Sequence, residues 1–205
     1  MSLLEQSLFE FSNHLAAREP VPGGGGAAAL IGAIAAALGS MAGNYTVGKK
    51  AYAEHEPEVK AAVEACDALR LRLLALVDAD AQAFEPLSRA YALPKDDPNT
   101  KAALESATRN AVLAPMGIVQ CCAELVAPLE TLRAFGSRLM QSDVGCAAYA
   151  ATAAMECAWL NVLVNLRALP EGRQLDEQVR PLLGAALPKL RSVAENVRSS
   201  LEIGK

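Results

Sequence analysis

Residues 20–52 read PVPGGGGAAALIGAIAAALGSMAGNYTVGKKAY, and the fold is decided there. Pro22 fixes its own φ and biases Val21 away from the α region, so any helix before it must stop. Gly23, Gly24, Gly25 and Gly26 follow. Glycines can take backbone angles closed to other residues, and they allow another chain or a ligand to approach the main chain closely. An Ala/Gly-rich helix is expected to run from there to about Tyr45. Its first amides lack internal partners and its dipole is positive at that end, which makes the turn a candidate anion site; a plain hinge is the competing reading. The turn is not a P-loop, because no Gly-Lys-Ser/Thr follows it. It is not a dinucleotide fingerprint either, because an amphipathic helix and not a strand precedes it.

The 17 residues from Ala27 to Gly43 carry no charge. Only Leu30, Ile31, Ile34, Leu38 and Met41 among them are strongly apolar, whereas a spanning helix needs about 20 predominantly apolar residues. A buried helix with no membrane partner is expected. Small residues recur along it at Ala28, Gly32, Ala36 and Ser40, with Gly39 and Gly43 beside them. Such a face lets backbones approach closely, and it points to a homodimer that shares this helix face.

Working outward, Leu4, Leu8, Phe11 and Leu15 predict an amphipathic helix over Ser2–Glu19. A long helix is expected from about Pro57 to Tyr91, striped by Leu69, Leu73, Leu76, Phe84 and Leu87. Asp80 falls on that stripe, and Asp78 lies off it. Aspartate is rarely buried unless paired or hydrogen-bonded, so Asp80 is the informative exception. A turn is expected over Pro94–Asn99, then helices that Pro115 and Pro128 end or bend. Ser142 is a candidate N-cap for a further helix to about Ala168, with Asp143 in its first turn. That helix carries Asn161 and Asn165. A last helix is expected over about Leu175–Leu201. No strand pattern appears, which predicts an all-α single domain over residues 1–205, a bundle of six or seven helices with a long central helix.

At 205 residues with 52% hydrophobic but 4% aromatic content, alanine and leucine must fill the core. The net charge of −4 argues against a nucleic-acid partner held by a basic field. Cys66, Cys121, Cys122, Cys146 and Cys157 form no CxxC pair and read as small hydrophobes in a reducing compartment, so a cytoplasmic location is expected. His14 and His55 sit in exposed polar contexts, so neither a His-based triad nor a metal cluster is expected, and no cofactor. The chemistry left is a carboxylate-and-amide site: Asp80 and Asp143 as carboxylates, Asn161 and Asn165 as amides, the glycine turn as backbone donors. Asp143 also reads as a simple helix-start residue, and the two asparagines as buried cross-links between helices.

Five segments together resemble one family: PVPGGGG with its Ala-rich helix, NYTVGKKAY (44–52), VDADAQAFEPLSRAYALPK (77–95), QSDVGCAA (141–148) and NVLVNLRALPE (161–171). They are similar, in the same order over Pro20–Glu171, to the cyclodeaminase domain of formimidoyltransferase-cyclodeaminase and to small stand-alone methenyltetrahydrofolate cyclohydrolases. The resemblance implies an enzyme acting on a one-carbon-loaded tetrahydrofolate. One reaction is the cyclisation of 5-formimidoyltetrahydrofolate to 5,10-methenyltetrahydrofolate with release of ammonia, a step of histidine degradation. The other is hydrolysis of the methenyl compound to 10-formyltetrahydrofolate, and a non-catalytic folate-binding or assembly role is the third reading. It implies Asp80 as the proton-transfer group and Asp143 as a second carboxylate. Asn161 and Asn165 would hydrogen-bond the pterin or orient the carboxylates, and Asp78, which the family motif includes, would be a substrate-binding residue. Gly23, Gly24, Gly25 and Gly26, with Lys49 and Lys50, would face the anionic glutamate tail; the lysine pair also reads as a solvated helix end. The family has a serine where this chain has Gly26. A homodimer is likewise the family's habit.

Overall fold

A computed structural model describes residues 2–94 and 98–202. Among these the fold is all-α. The helices are α1 (Leu8–Ala16), α2 (Gly24–Asn44), α3 (Glu56–Tyr91), α4 (Pro98–Ala111), α5 (Leu113–Glu124), α6 (Val126–Phe135), α7 (Gln141–Leu166) and α8 (Gly172–Leu201). Single residues, Val112 and Leu125, join α4 to α5 and α5 to α6, so the eight helices form six rods. Three stretches, Gly24–Asn44, Asn99–Phe135 and Arg138–Leu166, are long and apolar enough by length and composition to cross a membrane. The turn expected at Pro94–Asn99 includes residues 95–97, which lie outside the described residues.

The uncharged α2 packs between α3 and α7. Its small-residue face is what lets it do so. A Cβ on Gly39 would stand 2.8 Å from Cys66 Sγ, and one on Gly43 2.3 Å from Val63 Cγ2. On Gly32 it would meet Leu73 at 3.0 Å and Ala154 at 3.5 Å. Ala28, Gly32, Ala36, Gly39, Ser40 and Gly43 are all buried. The face expected to make a two-fold contact is therefore already filled within one chain. Around it a core of Leu69, Leu73, Val77, Ile118, Leu129, Leu132, Met155 and Leu190 closes, each worth roughly 1.5–3 kcal/mol when fully buried. A smaller cluster of Leu87, Ala90, Ala107 and Ala111 pins the end of α3 to α4.

Several local expectations change. Ser2–Glu19 is not one helix: a 3-10 turn at Leu3–Glu5 precedes α1, because Ser7 and Glu10 form a reciprocal capping box that starts the helix at Leu8. Only Phe11 of the expected stripe is buried, while Leu4, Leu8 and Leu15 are exposed. The glycines do not precede α2; the last three are its first turn. Gly48 alone among the described glycines has positive φ, so this run supplies room and not special angles. Ser142 is not an N-cap, since the 3-10 turn Arg138–Met140 leads straight into α7 at Gln141. His55 is not in the open: its ring stacks on Phe135 with centroids 4.0 Å apart.

Candidate active site

Asp80 and the glycine turn meet at the amino end of α2. The cap position there is Gly23, which has no side chain to offer the orphan amides. Asp80, reaching over from α3, accepts a hydrogen bond from the Gly26 N–H and does the capping residue's work. The approach is close: a Cβ on Gly25 would lie 2.1 Å from Asp80 Oδ1 and 2.5 Å from its Cγ. Glycine is required at 25 because a carboxylate occupies the space of its side chain. Burial pushes the Asp80 carboxyl above the ordinary carboxylate range, and the Gly26 N–H pulls only partly against it.

The carboxylate opens into a cleft of about 220 Å³, lined on the turn side by Pro20, Val21, Gly23, Gly24 and Gly25. Phe84, one turn beyond Asp80, and Asn161, Val164 and Asn165 of α7 complete its walls with Ala111 and Pro115. Pro115 explains how Asn165 is held. Having no N–H, it cannot donate to Ala111 O four residues back, and that freed carbonyl accepts from Asn165 Nδ2 at 3.2 Å. Asn161 Nδ2 donates to Cys157 O at 2.9 Å. Each amide nitrogen is thus engaged by main chain, and each Oδ1 is the end left for the cleft. The site offers three acceptors, one carboxylate and two amide carbonyls, against an aromatic wall. That set suits a ligand rich in N–H donors with a cationic centre, and a carboxyl of raised pKa can hand a proton to a departing nitrogen.

The structure brings Asp80, Gly23, Gly24, Gly25, Asn161 and Asn165 together, and it separates the rest. Gly26 lies buried behind the turn, turned to Asp80 by its N–H, and is not part of the cleft lining. Asp78 faces the other way: it accepts from Ser2 Oγ and, at 2.7 Å, from the Leu3 N–H, tying down the amino-terminal turn. Lys49 and Lys50 are exposed beyond the far end of α2, whose 21 residues put them about 30 Å from the glycine turn. Asp143 lies in the first turn of α7, while the cleft asparagines sit near its last. The far end of the bundle holds a wider cavity of about 660 Å³ lined by Tyr52, His55, Arg133, Phe135, Arg138 and Gln141. Among the described residues no three His, Cys, Asp or Glu side chains gather as a metal site. Sequence reasoning missed Pro20, Val21, Pro115 and Val164 as lining; the signal for Pro115 was a proline four residues after a carbonyl that then needed a donor.

A family model described as formiminotransferase-cyclodeaminase matches residues 7–180. The chain is 36% identical over 183 residues to a methenyltetrahydrofolate cyclohydrolase of Methylorubrum extorquens, covering 87% of this chain and 88% of that one. It is 34% identical over 205 residues to the formimidoyltransferase-cyclodeaminase of Sus scrofa, spanning 98% of this chain but only 38% of that longer protein. A crystal structure of formiminotetrahydrofolate cyclodeaminase from Thermotoga maritima superposes with a TM-score of 0.84 at 32% identity, covering 97% of each chain. The helical fold is thus shared over nearly the whole chain, and the chain is a member of the formiminotransferase-cyclodeaminase family.

Proposed function

We propose that this chain is a folate one-carbon enzyme that cyclises 5-formimidoyltetrahydrofolate to 5,10-methenyltetrahydrofolate at the Asp80 cleft. Nitrogen 10 of the folate attacks the formimidoyl carbon and forms the new C–N bond. The proton of nitrogen 10 passes to the former imine nitrogen, a second proton comes from Asp80, and the bond to that nitrogen breaks as ammonia leaves. The methenyl carbon is left cationic. Asp80 serves both halves: protonated, it supplies the leaving nitrogen; ionised afterwards, it faces the cation in a partly desolvated site. The Oδ1 atoms of Asn161 and Asn165 accept from pterin N–H groups, and the Phe84 ring forms an apolar wall. The observation that carries this reading is the half-buried Asp80 carboxyl of raised pKa, held against the glycine turn and open to the cleft.

A second reading, hydrolysis of 5,10-methenyltetrahydrofolate, is favoured by the relative of matching length from Methylorubrum extorquens. Water would add to the cationic carbon and lose one proton to Asp80; the bond to nitrogen 5 would then break as the remaining hydroxyl proton passes to nitrogen 5 and the C=O of 10-formyltetrahydrofolate forms. Ammonia release from 5-formimidoyltetrahydrofolate, run beside decay of the methenyl absorbance, decides between them. Release of ammonia supports cyclisation, and loss of methenyl absorbance above the uncatalysed rate without it supports hydrolysis. Neither signal at micromolar enzyme would refute both and leave a binding role.

A further inference from the structure

The three helix faces that wall the Asp80 cleft run on past it. On α3, Asp80 and Phe84 line the cleft, and Tyr91, two turns beyond Phe84, lines a second cavity of about 510 Å³. On α7 the step is from Asn165 to Ala168, and on α4 it is from Ala111 back to Thr108, Leu104 and Lys101. Residues three, four and seven apart share a helix face, so each helix presents one stripe to both cavities. The last turns of α4 and α7 run antiparallel. Ala111 O accepts from Asn165 Nδ2 at the cleft, and Thr108 and Ala168, each about one turn away, meet at the second cavity. Between the cavities the wall is apolar, since Phe84 and Leu104 both pack on the cluster around Leu87 and Ala111. The run from Asp80 to Tyr91 covers about 16 Å along α3.

The cleft alone, at about 220 Å³, falls below the roughly 300–1,000 Å³ usual for ligand sites, and the two cavities together fall within that range. The far end of this groove carries a cation that nothing neutralises. Arg89 is paired with Glu85 at 2.5 Å, and Arg109 is held by Glu171 at 2.5 Å and Glu105 at 3.7 Å. Lys101 makes no ion pair among the described residues. Tyr91, 64% exposed at the last position of α3, offers a ring face beside it. From end to end the groove therefore presents a carboxyl with two amides, then an aromatic ring, then a positive charge.

We propose that this α3–α4–α7 groove takes the outer half of the ligand, with Tyr91 against its aminobenzoyl ring and Lys101 on a carboxylate of its glutamate tail. These two residues set the preference for substrates that carry the tail. A folate has its pterin, its aminobenzoyl ring and its glutamate in the order in which the groove has their partners. The groove rests on geometry; the ligand's identity rests on the folate reading above.

Kinetics on two substrates test the assignment. One is the glutamyl folate, 5-formimidoyl or 5,10-methenyl, whichever the chain turns over. The other is the same compound ending in an uncharged amide at the benzoyl carbon. Lys101→Glu should raise KM for the glutamyl substrate about fivefold or more with kcat within about twofold, because an attraction shared by ground state and transition state becomes a repulsion. The loss should fade as salt is raised towards about 1 M, and KM for the amide should not move. Tyr91→Ala should raise KM for both substrates, since both carry the ring. Both positions are exposed, so neither change should disturb the fold. Calorimetry with 5-formyltetrahydrofolate on Asp80→Asn, with and without Lys101→Glu, repeats the comparison without turnover, and the second change should weaken binding by the same factor. An unchanged KM in Lys101→Glu, or one raised equally for both substrates, would overturn the subsite and leave the folate reading in place. So would a glutamyl-specific loss in Lys49→Glu/Lys50→Glu in its stead. A wild type that neither binds nor turns over either folate would sink the folate reading and the subsite with it.

Discussion

Gly25→Ala is the sharpest perturbation the site allows. The added methyl would stand 2.1 Å from Asp80 Oδ1, 2.5 Å from its Cγ and 2.6 Å from Oδ2. An ordinary carbon–oxygen approach is about 3.3 Å, so the carboxylate must retreat by about 1.2 Å. That retreat breaks the hydrogen bond from the Gly26 N–H and uncaps α2, at a cost of about 1 kcal/mol. Replacing a helical glycine by alanine returns about 0.5–1 kcal/mol, so global stability should hardly change. Catalysis should change a great deal, because misplacing a reacting group by about 1 Å costs on the order of 100-fold in rate. The neighbouring glycines supply the controls. A Cβ on Gly23 meets nothing within 4 Å, and one on Gly26 meets only ordinary contacts at 3.8–3.9 Å. Gly26→Ala, outside the cleft lining, should therefore keep near-wild-type turnover, while Gly23→Ala and Gly24→Ala, which line the cleft, fall between, the Gly24 Cβ 3.3 Å from Asn161 Nδ2. Thermal melts and steady-state ammonia release on all four variants test this. A Gly25→Ala enzyme within about threefold of wild type would refute the placement of Asp80 at the reaction centre.

Other consequences are as direct. Asp80→Asn should lose about 100-fold or more in rate yet gain stability at neutral pH. The folded carboxyl has the higher pKa, so the folded chain binds the proton more tightly and wild-type stability falls as pH rises through that raised value. Melts should thus show the variant's advantage at pH 7 vanishing below about pH 3.8, the ordinary aspartate value. Asn165→Ala should cost about 1–3 kcal/mol by orphaning Ala111 O, but distinctly less in a Pro115→Ala background, where a restored N–H can serve that carbonyl. A double-mutant cycle with no coupling would show that Pro115 does not position Asn165. A thiol reagent should label exposed Cys146 quickly, while Cys66, buried and with its thiol pushed up to about 12, reacts only on unfolding.

Much of this was legible because the informative residues break patterns. An aspartate on an apolar stripe and four glycines at a helix start flagged the two halves of the site. Their juxtaposition was not legible, since periodicity places a residue on a face and says nothing of which helix lies opposite. The misreadings share one cause: local patterns were assigned without the competing partner. The small-residue face of α2 suits another chain as well as it suits α3 and α7, and only the packing shows which took it. Lys49 and Lys50 stand near the glycines in the chain's order of motifs, yet a rigid helix holds them apart. Asp78 differs from Asp80 by two residues, about 200° around α3, and so serves the amino-terminal turn and not the cleft.

The cleft also has an order of assembly. Its acid and its glycines come from α2 and α3, neighbours in sequence, whereas Asn161 and Asn165 arrive from α7 some 80 residues later. Contacts of short sequence separation close with the smaller loss of chain entropy, so the α2–α3 hairpin is expected to form first and α7 to dock onto it. Asp80 would then be anchored before it is desolvated, and its raised pKa would be the last property of the site to appear during refolding. Pulse-labelled hydrogen exchange would show this as amides at the start of α2 protected ahead of those in the second half of α7.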